Sequence, residues 1–320
     1  MDDAEDMARR LLAGERAALA RTITWAENAD PRFAAALARV YPRVGRAWRV
    51  GVTGPPGAGK SSLVNTLIEK LRARDETVGV LAIDPSSPFT GGALLGDRIR
   101  MEERTTDPGV YIRSMATRAS HGGLARAAVD ALDVMDAFGF DWLLAETVGV
   151  GQTEYEIAGA ADSVLVVLCP GAGDGIQAMK AGLLEVADVL VVNKSDLPGA
   201  DQLADDLEES LQLRALSRQH RRRPAIVPVS AHTGAGFDAL FAAIEAHRAE
   251  LERGDLAALR HEKRVRQVRR VVGERLDEAL FGPAGRTEQA VALLGKSRTP
   301  YDVAEELLGS ILASTPRPRT

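Results

Sequence analysis

Gly54-Pro55-Pro56-Gly57-Ala58-Gly59-Lys60-Ser61 fits the pattern G-x-x-x-x-G-K-[ST]. A β-branched run, Arg49 to Thr53, precedes it, and a helical segment, Ser62 to Arg72, follows. That context makes the octapeptide a P-loop rather than a glycine-rich turn. Its glycines let successive backbone N–H groups point inward around phosphate oxygens, and the helix N-terminus adds a favourable dipole. Lys60 is expected to reach the β- and γ-phosphates and the Ser61 hydroxyl to ligate Mg²⁺. Gly54, Gly57, Ala58, Gly59 and Ser62 complete the expected phosphate cradle.

Outward from this loop, short β-branched runs alternate with helical segments. The runs are Trp48 to Thr53, Val78 to Ile83, Val110 to Arg113, Trp142 to Thr147, Val164 to Cys169, Val189 to Val192 and Ala225 to Val229. Several are apolar on successive residues, as strands covered on both faces are. The alternation predicts an α/β fold with a doubly wound, mostly parallel sheet. Residues 1–45 read as helices, with Asp30 as N-cap and Pro31 at a first helical position. The chain is helical again from Phe237 through Arg275 and Leu280, breaks at Gly282-Pro283-Ala284-Gly285, and resumes with Pro300 opening the last helix. The expected division is an N-terminal helical extension at 1–45, a nucleotide domain at 46–247 and a C-terminal helical region at 248–320.

Asn193-Lys194-Ser195-Asp196 follows the strand Val189 to Val192 and matches the N-K-x-D pattern of GTPases. Asp196 can accept two hydrogen bonds, from the guanine ring N–H and the exocyclic amine. Adenine has neither donor there and would leave a carboxylate unpaired. The Lys194 stem can cover the base, and Ser230-Ala231 matches the loop that offers N–H groups to the guanine carbonyl. N-K-x-D alone is equally a surface turn; its place behind a P-loop gives it weight.

Asp84 and Glu146 end two of the runs, where strand termini line the ligand crevice of this architecture. Both are candidates for Mg²⁺, directly or through water, and Asp97 is a third. Each is also readable as an ordinary strand-end or loop carboxylate. Gly149 is placed to give its N–H to the γ-phosphate. Ras-type GTPases carry a water-orienting Gln next, but here that position is Val150 and the nearest amide is Gln152. Slow intrinsic hydrolysis, accelerated by a partner, is therefore expected. Arg98, Arg113 and Arg118 could supply positive charge, though ordinary ion pairing suits each as well. The glycine-rich stretch Gly171 to Lys180 suits a switch, or a plain loop.

The composition narrows the classes. The 320 residues carry a formal net charge of −5, without the basic footprint of a general nucleic-acid binder. One cysteine, Cys169, rules out an internal disulfide framework and fits a reducing, cytoplasmic setting. No apolar run approaches the roughly 18 residues that span a bilayer. The five histidines are scattered, with no metal-ligand spacing. Only six of the 40 basic residues are lysine, and Lys60, Lys180 and Lys194 fall in nucleotide or switch motifs.

These stretches together resemble the MeaB-like GTPases, the G-protein chaperones associated with methylmalonyl-CoA mutase, also called arginine/ornithine transport kinases. The resemblance covers Gly14-Glu15-Arg16 to Glu27, the P-loop, Ile83 to Pro88, Thr90 to Met101, Ile112 to Arg118, Glu146 to Glu154, Pro170 to Asp174 and Pro300 to Glu305. It implies that Asp84, Asp97 and Glu146 join Ser61 around Mg²⁺. It implies a switch near residues 171–182, with Gln152, Asp174, Gln177 and Lys180 toward a partner. It further implies a homodimer built on the C-terminal helices. GTP binding and hydrolysis would gate delivery of adenosylcobalamin from a cobalamin adenosyltransferase to an adenosylcobalamin-dependent acyl-CoA mutase. Ser120-His121 and Asp174-Gly175 depart from the family pattern.

Three alternatives stay open on the residues. A nickel-insertion GTPase is opposed by the missing Cys/His cluster. A P-loop kinase or ATPase linked to transport is opposed by N-K-x-D. A binding module with negligible hydrolysis would differ in phosphate release.

Overall fold

The computed structural model of the chain describes residues 3–84, 107–116, 121–147, 159–171, 183–215, 222–282 and 299–314. Two compact units divide it, Met1–Gly254 and Asp255–Thr320.

The first unit is built on seven parallel strands: β1 Trp48–Thr53, β2 Val78–Asp84, β3 Val110–Ala116, β4 Trp142–Thr147, β5 Ser163–Leu168, β6 Val189–Val192 and β7 Ala225–Pro228. Their spatial order is β3-β2-β4-β1-β5-β6-β7. Every residue of β4, β5 and β6 is buried, which is why these runs are apolar without alternation. The crossing helices are α4 Lys60–Arg72, α5 His121–Phe138, α6 Leu183–Val186, α7 Ala200–Ala215 and α8 Phe237–Arg253.

Three helices precede the sheet: α1 Asp3–Leu12, α2 Arg16–Glu27 and α3 Arg32–Val40. They form a third layer over α5. Leu11, Leu19, Ile23 and Val40 share one buried cluster with Ala128, Leu132 and Met135 of α5 and with Leu81 and Leu143 of the sheet. This explains why α5 is buried on nearly every side. At the start of α3, Pro31 serves as the cap, and the Asp30 carboxylate accepts the Arg32 N–H at 2.9 Å. The helix thus opens one residue later than the Pro31 rule predicts.

β3 is an edge strand, and α2 is bonded to it at both ends. Arg16 donates to the carbonyls of Pro108 and Val110 at 2.6 and 2.8 Å. Arg113 answers from the strand, donating to Thr24 Oγ1 at 3.0 Å and pairing with Glu27. These bonds anchor α2 to the edge strand. Arg113 is thereby an ion-paired arm of the edge strand rather than a source of charge for the phosphates.

A buried ion network fixes the entry to β1. Asp136 of α5, with no solvent exposure, accepts the N–H groups of Gly45, Arg46 and Ala47 at 2.9 to 3.0 Å. Arg49 donates to Asp133 at 2.7 Å and to Asp136 at 2.8 Å. Burial alone would lower the guanidinium pKa; the two carboxylates more than offset that, so the group stays charged.

The helical stretch expected to run unbroken from Phe237 is interrupted. α8 ends at Arg253 with Gly254 as its cap, and Asp255 precedes a new helix, α9 Leu256–Phe281. Gly followed by Asp is a stop-and-start signal that the surrounding helix formers obscure. Among the described residues, the second unit holds α9 and α10 Pro300–Ser314. Its buried cluster among the described residues is Leu280, Val303 and Leu307. No helix among the described residues is long and apolar enough to cross a membrane.

Candidate nucleotide-binding site

The P-loop leaves β1 at the middle of the sheet and enters α4. Two of its glycines are required by close approach. Gly54 has φ +143°, and a Cβ there would lie 2.0 Å from the Val167 carbonyl oxygen of β5. Gly59 has φ +87°, and its Cβ would meet Asn193 Nδ2 at 2.3 Å. Any side chain at either position forces the backbone off its neighbour. Lys60 is 6% exposed, and its ammonium donates to the carbonyls of Gly54 at 2.8 Å and Pro55 at 3.0 Å. A compact charge is thus held inside the loop.

Ser61, one residue on, donates its hydroxyl to Glu146 Oε1 at 2.6 Å. Glu146 is 8% exposed and lies opposite Ala82 of β2 and Val52 of β1. Asp84 is the last residue of β2, two beyond Ala82, so its backbone leaves the sheet at the same carboxyl edge. Serine hydroxyl and carboxylate oxygens are hard donors, the kind Mg²⁺ takes, so the residues present fit that ion. Among the described residues no three His, Cys, Asp or Glu side chains converge on one point. Asp97, the third expected carboxylate, lies outside the described residues, as do Gly149, Gln152, Asp174, Gln177, Lys180, Arg98 and Arg118.

Two further loops, at the carboxyl ends of β6 and β7, meet the P-loop. Asn193 is 1% exposed and joins all three. Its Nδ2 donates to the Ala58 carbonyl at 2.7 Å, and its Oδ1 accepts the Ala231 N–H at 3.2 Å. Its backbone N–H donates to Leu168 of β5 at 2.7 Å. Lys194, in the left-handed region at φ +58°, sends its ammonium to the Gly57 carbonyl at 2.8 Å. Its stem therefore runs back along the phosphate loop.

Asp196 is exposed, and Ser230 is buried beneath it. The Ser230 hydroxyl bonds the carboxylate and holds its pKa below the usual value; His232 and Lys194 add positive potential. Ser230 is itself fixed by a tight turn, closed by Gly234 N–H to its carbonyl at 2.8 Å. Gly236 packs so closely that a Cβ would lie 2.1 Å from the Pro228 carbonyl oxygen. The result is an ionised acceptor beside a cradle of N–H groups and two lysines, at the sheet edge where α/β proteins hold ligands.

The family model for "Methylmalonyl Co-A mutase-associated GTPase MeaB" matches residues 19–284. The chain belongs to the MeaB family of GTPases. Its relatives agree along their length. A Pyrococcus abyssi protein, provisionally named a GTPase, is 43% identical over 315 residues, 96% of this chain and 97% of its own. GTPase ArgK of Escherichia coli is 36% identical over 85% of each chain. A solved structure described as an LAO/AO transport system kinase superposes with a TM-score of 0.70 at 26% identity, over 98% of this chain and 99% of its own. The seven-stranded parallel sheet thus belongs to this family's P-loop fold, and guanine nucleotide binding comes with membership.

Within this MeaB-family site, two residues escaped the motif reading. Thr147 Oγ1 donates to Thr53 Oγ1 at 3.0 Å, and both are buried. The only signal in the sequence is a threonine ending each of two apolar strands.

Proposed function

We propose that this chain is a GTP-hydrolysing chaperone that gates adenosylcobalamin delivery to, and protection of, a cobalamin-dependent acyl-CoA mutase of the methylmalonyl-CoA type. The observation that carries the nucleotide part is Asn193, whose side chain ties the phosphate loop to both base-reading loops. A guanine held between Asp196, Ala231 and the Lys194 stem sets its phosphates over Gly54 to Ser62. Lys60 neutralises charge on the β- and γ-phosphates, and the Gly149 N–H is the proposed γ-phosphate donor. Mg²⁺, when bound through Ser61, Glu146, Asp84 and Asp97, neutralises phosphate charge. Adenine would leave Asp196 without donors, which opposes the kinase reading suggested by the solved relative's title.

The partner part rests on family membership, with the mutase named in the family description. A mouse relative, the mitochondrial methylmalonic aciduria type A homolog, is 35% identical over 78% of this chain and 64% of its own. Residues 171–182, Gln152 and Lys180 form the proposed switch toward the mutase. A cobalamin adenosyltransferase is the proposed source of the cofactor, and the cytoplasm the proposed site of action. The test is phosphate release from GTP, measured alone and with the mutase. Slow turnover that the mutase accelerates supports the reading; an equal rate in both removes the partner.

The second unit is the proposed homodimer element. Val265, Val268 and Val272 lie exposed at helical spacing on α9, the last two 62% and 51% exposed. Val272→Glu is expected to give a monomer by sedimentation with nucleotide binding retained; an unchanged mass would remove α9 as the interface.

A further inference from the structure

One level of the sheet can be followed across all seven strands. Met115, Ile83 and Thr147 are paired in register on one side, and Thr53, Val166, Leu190 and Ile226 on the other. Five of these seven residues are apolar. The exceptions are Thr147 and Thr53, one position beyond the pair Glu146 and Val52, joined hydroxyl to hydroxyl at 3.0 Å. They are 3% and 2% exposed.

A buried hydroxyl pair in an apolar level is a poor choice for stability. Replacing both partners by apolar groups of the same shape is close to neutral, or stabilising. Valine has that shape and matches the neighbours. The pair therefore calls for a reason outside packing, and its position supplies one. Thr53 is the residue before Gly54, whose backbone presses on β5 and whose carbonyl receives Lys60. Thr147 is the residue after Glu146, whose carboxylate receives Ser61. Successive strand residues face opposite sides of a sheet. So β4 is tied on one face to Ser61 of the P-loop through Glu146, and on the other to Thr53, the residue that leads into it, through Thr147.

We infer that Thr53 and Thr147 are positioning residues for GTP hydrolysis: their hydrogen bond fixes the end of β4, which carries Glu146, against the end of β1, from which the phosphate loop departs. The inference rests on the GTPase reading above. GDP, which presents no γ-phosphate, should be indifferent to this link, whereas turnover of GTP should depend on it.

The experiment compares wild type with Thr53→Val/Thr147→Val, Thr147→Val and Thr147→Ser, measuring thermal midpoint, GDP affinity, and kcat and KM for GTP. A neutral hydrogen bond is worth up to about tenfold in a rate or equilibrium constant. The double valine variant is expected to keep or raise the midpoint, to hold GDP within about twofold, and to lose about five- to tenfold in kcat with little change in KM. Thr147→Ser, which keeps the hydroxyl, is expected to restore kcat. Thr147→Val alone leaves Thr53 buried without its donor and should lose stability as well as rate. A double variant with full kcat would overturn the inference and leave the pair as sheet packing. So would a loss shared equally by GDP affinity. A wild type that neither binds nor hydrolyses GTP would instead sink the nucleotide reading itself.

Discussion

Asp136→Ala is expected to be the most destabilising single change in the first unit, by about 3–5 kcal/mol, read as a fall in the denaturation midpoint. The carboxylate has no solvent exposure and accepts three backbone N–H groups as well as Arg49. Its removal takes the acceptor from all four of these hydrogen bonds. Arg49 keeps Asp133, but one carboxylate then bears the burial of the guanidinium alone. Breaking one partner of a buried network costs far more than the network contributes relative to an apolar core, because the remaining groups stay dehydrated. The exposed pair Arg74 and Glu245 makes the contrast: both ends stand in solvent, and its removal should move the midpoint little. A midpoint shift for Asp136→Ala no larger than for Glu245→Ala would show that the network does not hold the entry to β1.

Asp196→Asn is expected to lower GTP and GDP affinity by about a hundredfold or more while leaving the fold intact, since each charge-assisted bond is worth about 1.5–3 kcal/mol. The carboxylate offers two acceptors to two guanine donors. An amide offers one acceptor and turns its N–H₂ against the exocyclic amine. Xanthine carries a carbonyl where guanine carries that amine, so the variant should gain affinity for xanthosine triphosphate as it loses GTP. Asp196 is exposed, so the thermal midpoint of the variant is expected to match the wild type. Unchanged GTP affinity would mean that the base is read elsewhere.

The parallel sheet was legible because its strands are buried on both faces and therefore apolar without interruption, as Ser163–Leu168 and Val189–Val192 show. The loops of the site were legible because glycine at φ > 0 and a lysine in a fixed frame leave few other readings. What stayed hidden depends on partners distant in sequence. Asp130, Asp133 and Asp136 recur at a helical period that normally marks a solvated face, yet all three are buried, and Asp133 and Asp136 meet Arg49 and the N–H groups of Gly45 to Ala47 from far earlier in the chain. Arg113 has no local partner; Glu27 reaches it only once α2 lies along β3. Thr53 and Thr147 lie 94 positions apart and meet only through the strand order. Asn193 was visible as a motif letter, but its link to Ala58 was not, for the same reason.

The base that the site accepts separates a guanine-nucleotide switch from a kinase. Competition of GTP, GDP and ATP for the wild-type chain, at one Mg²⁺ concentration, measures this. GTP and GDP are expected to bind at least about a hundredfold more tightly than ATP. ATP binding as tightly as GTP would contradict the role given to Asp196, and with it the reading of this chain as a guanine-nucleotide switch.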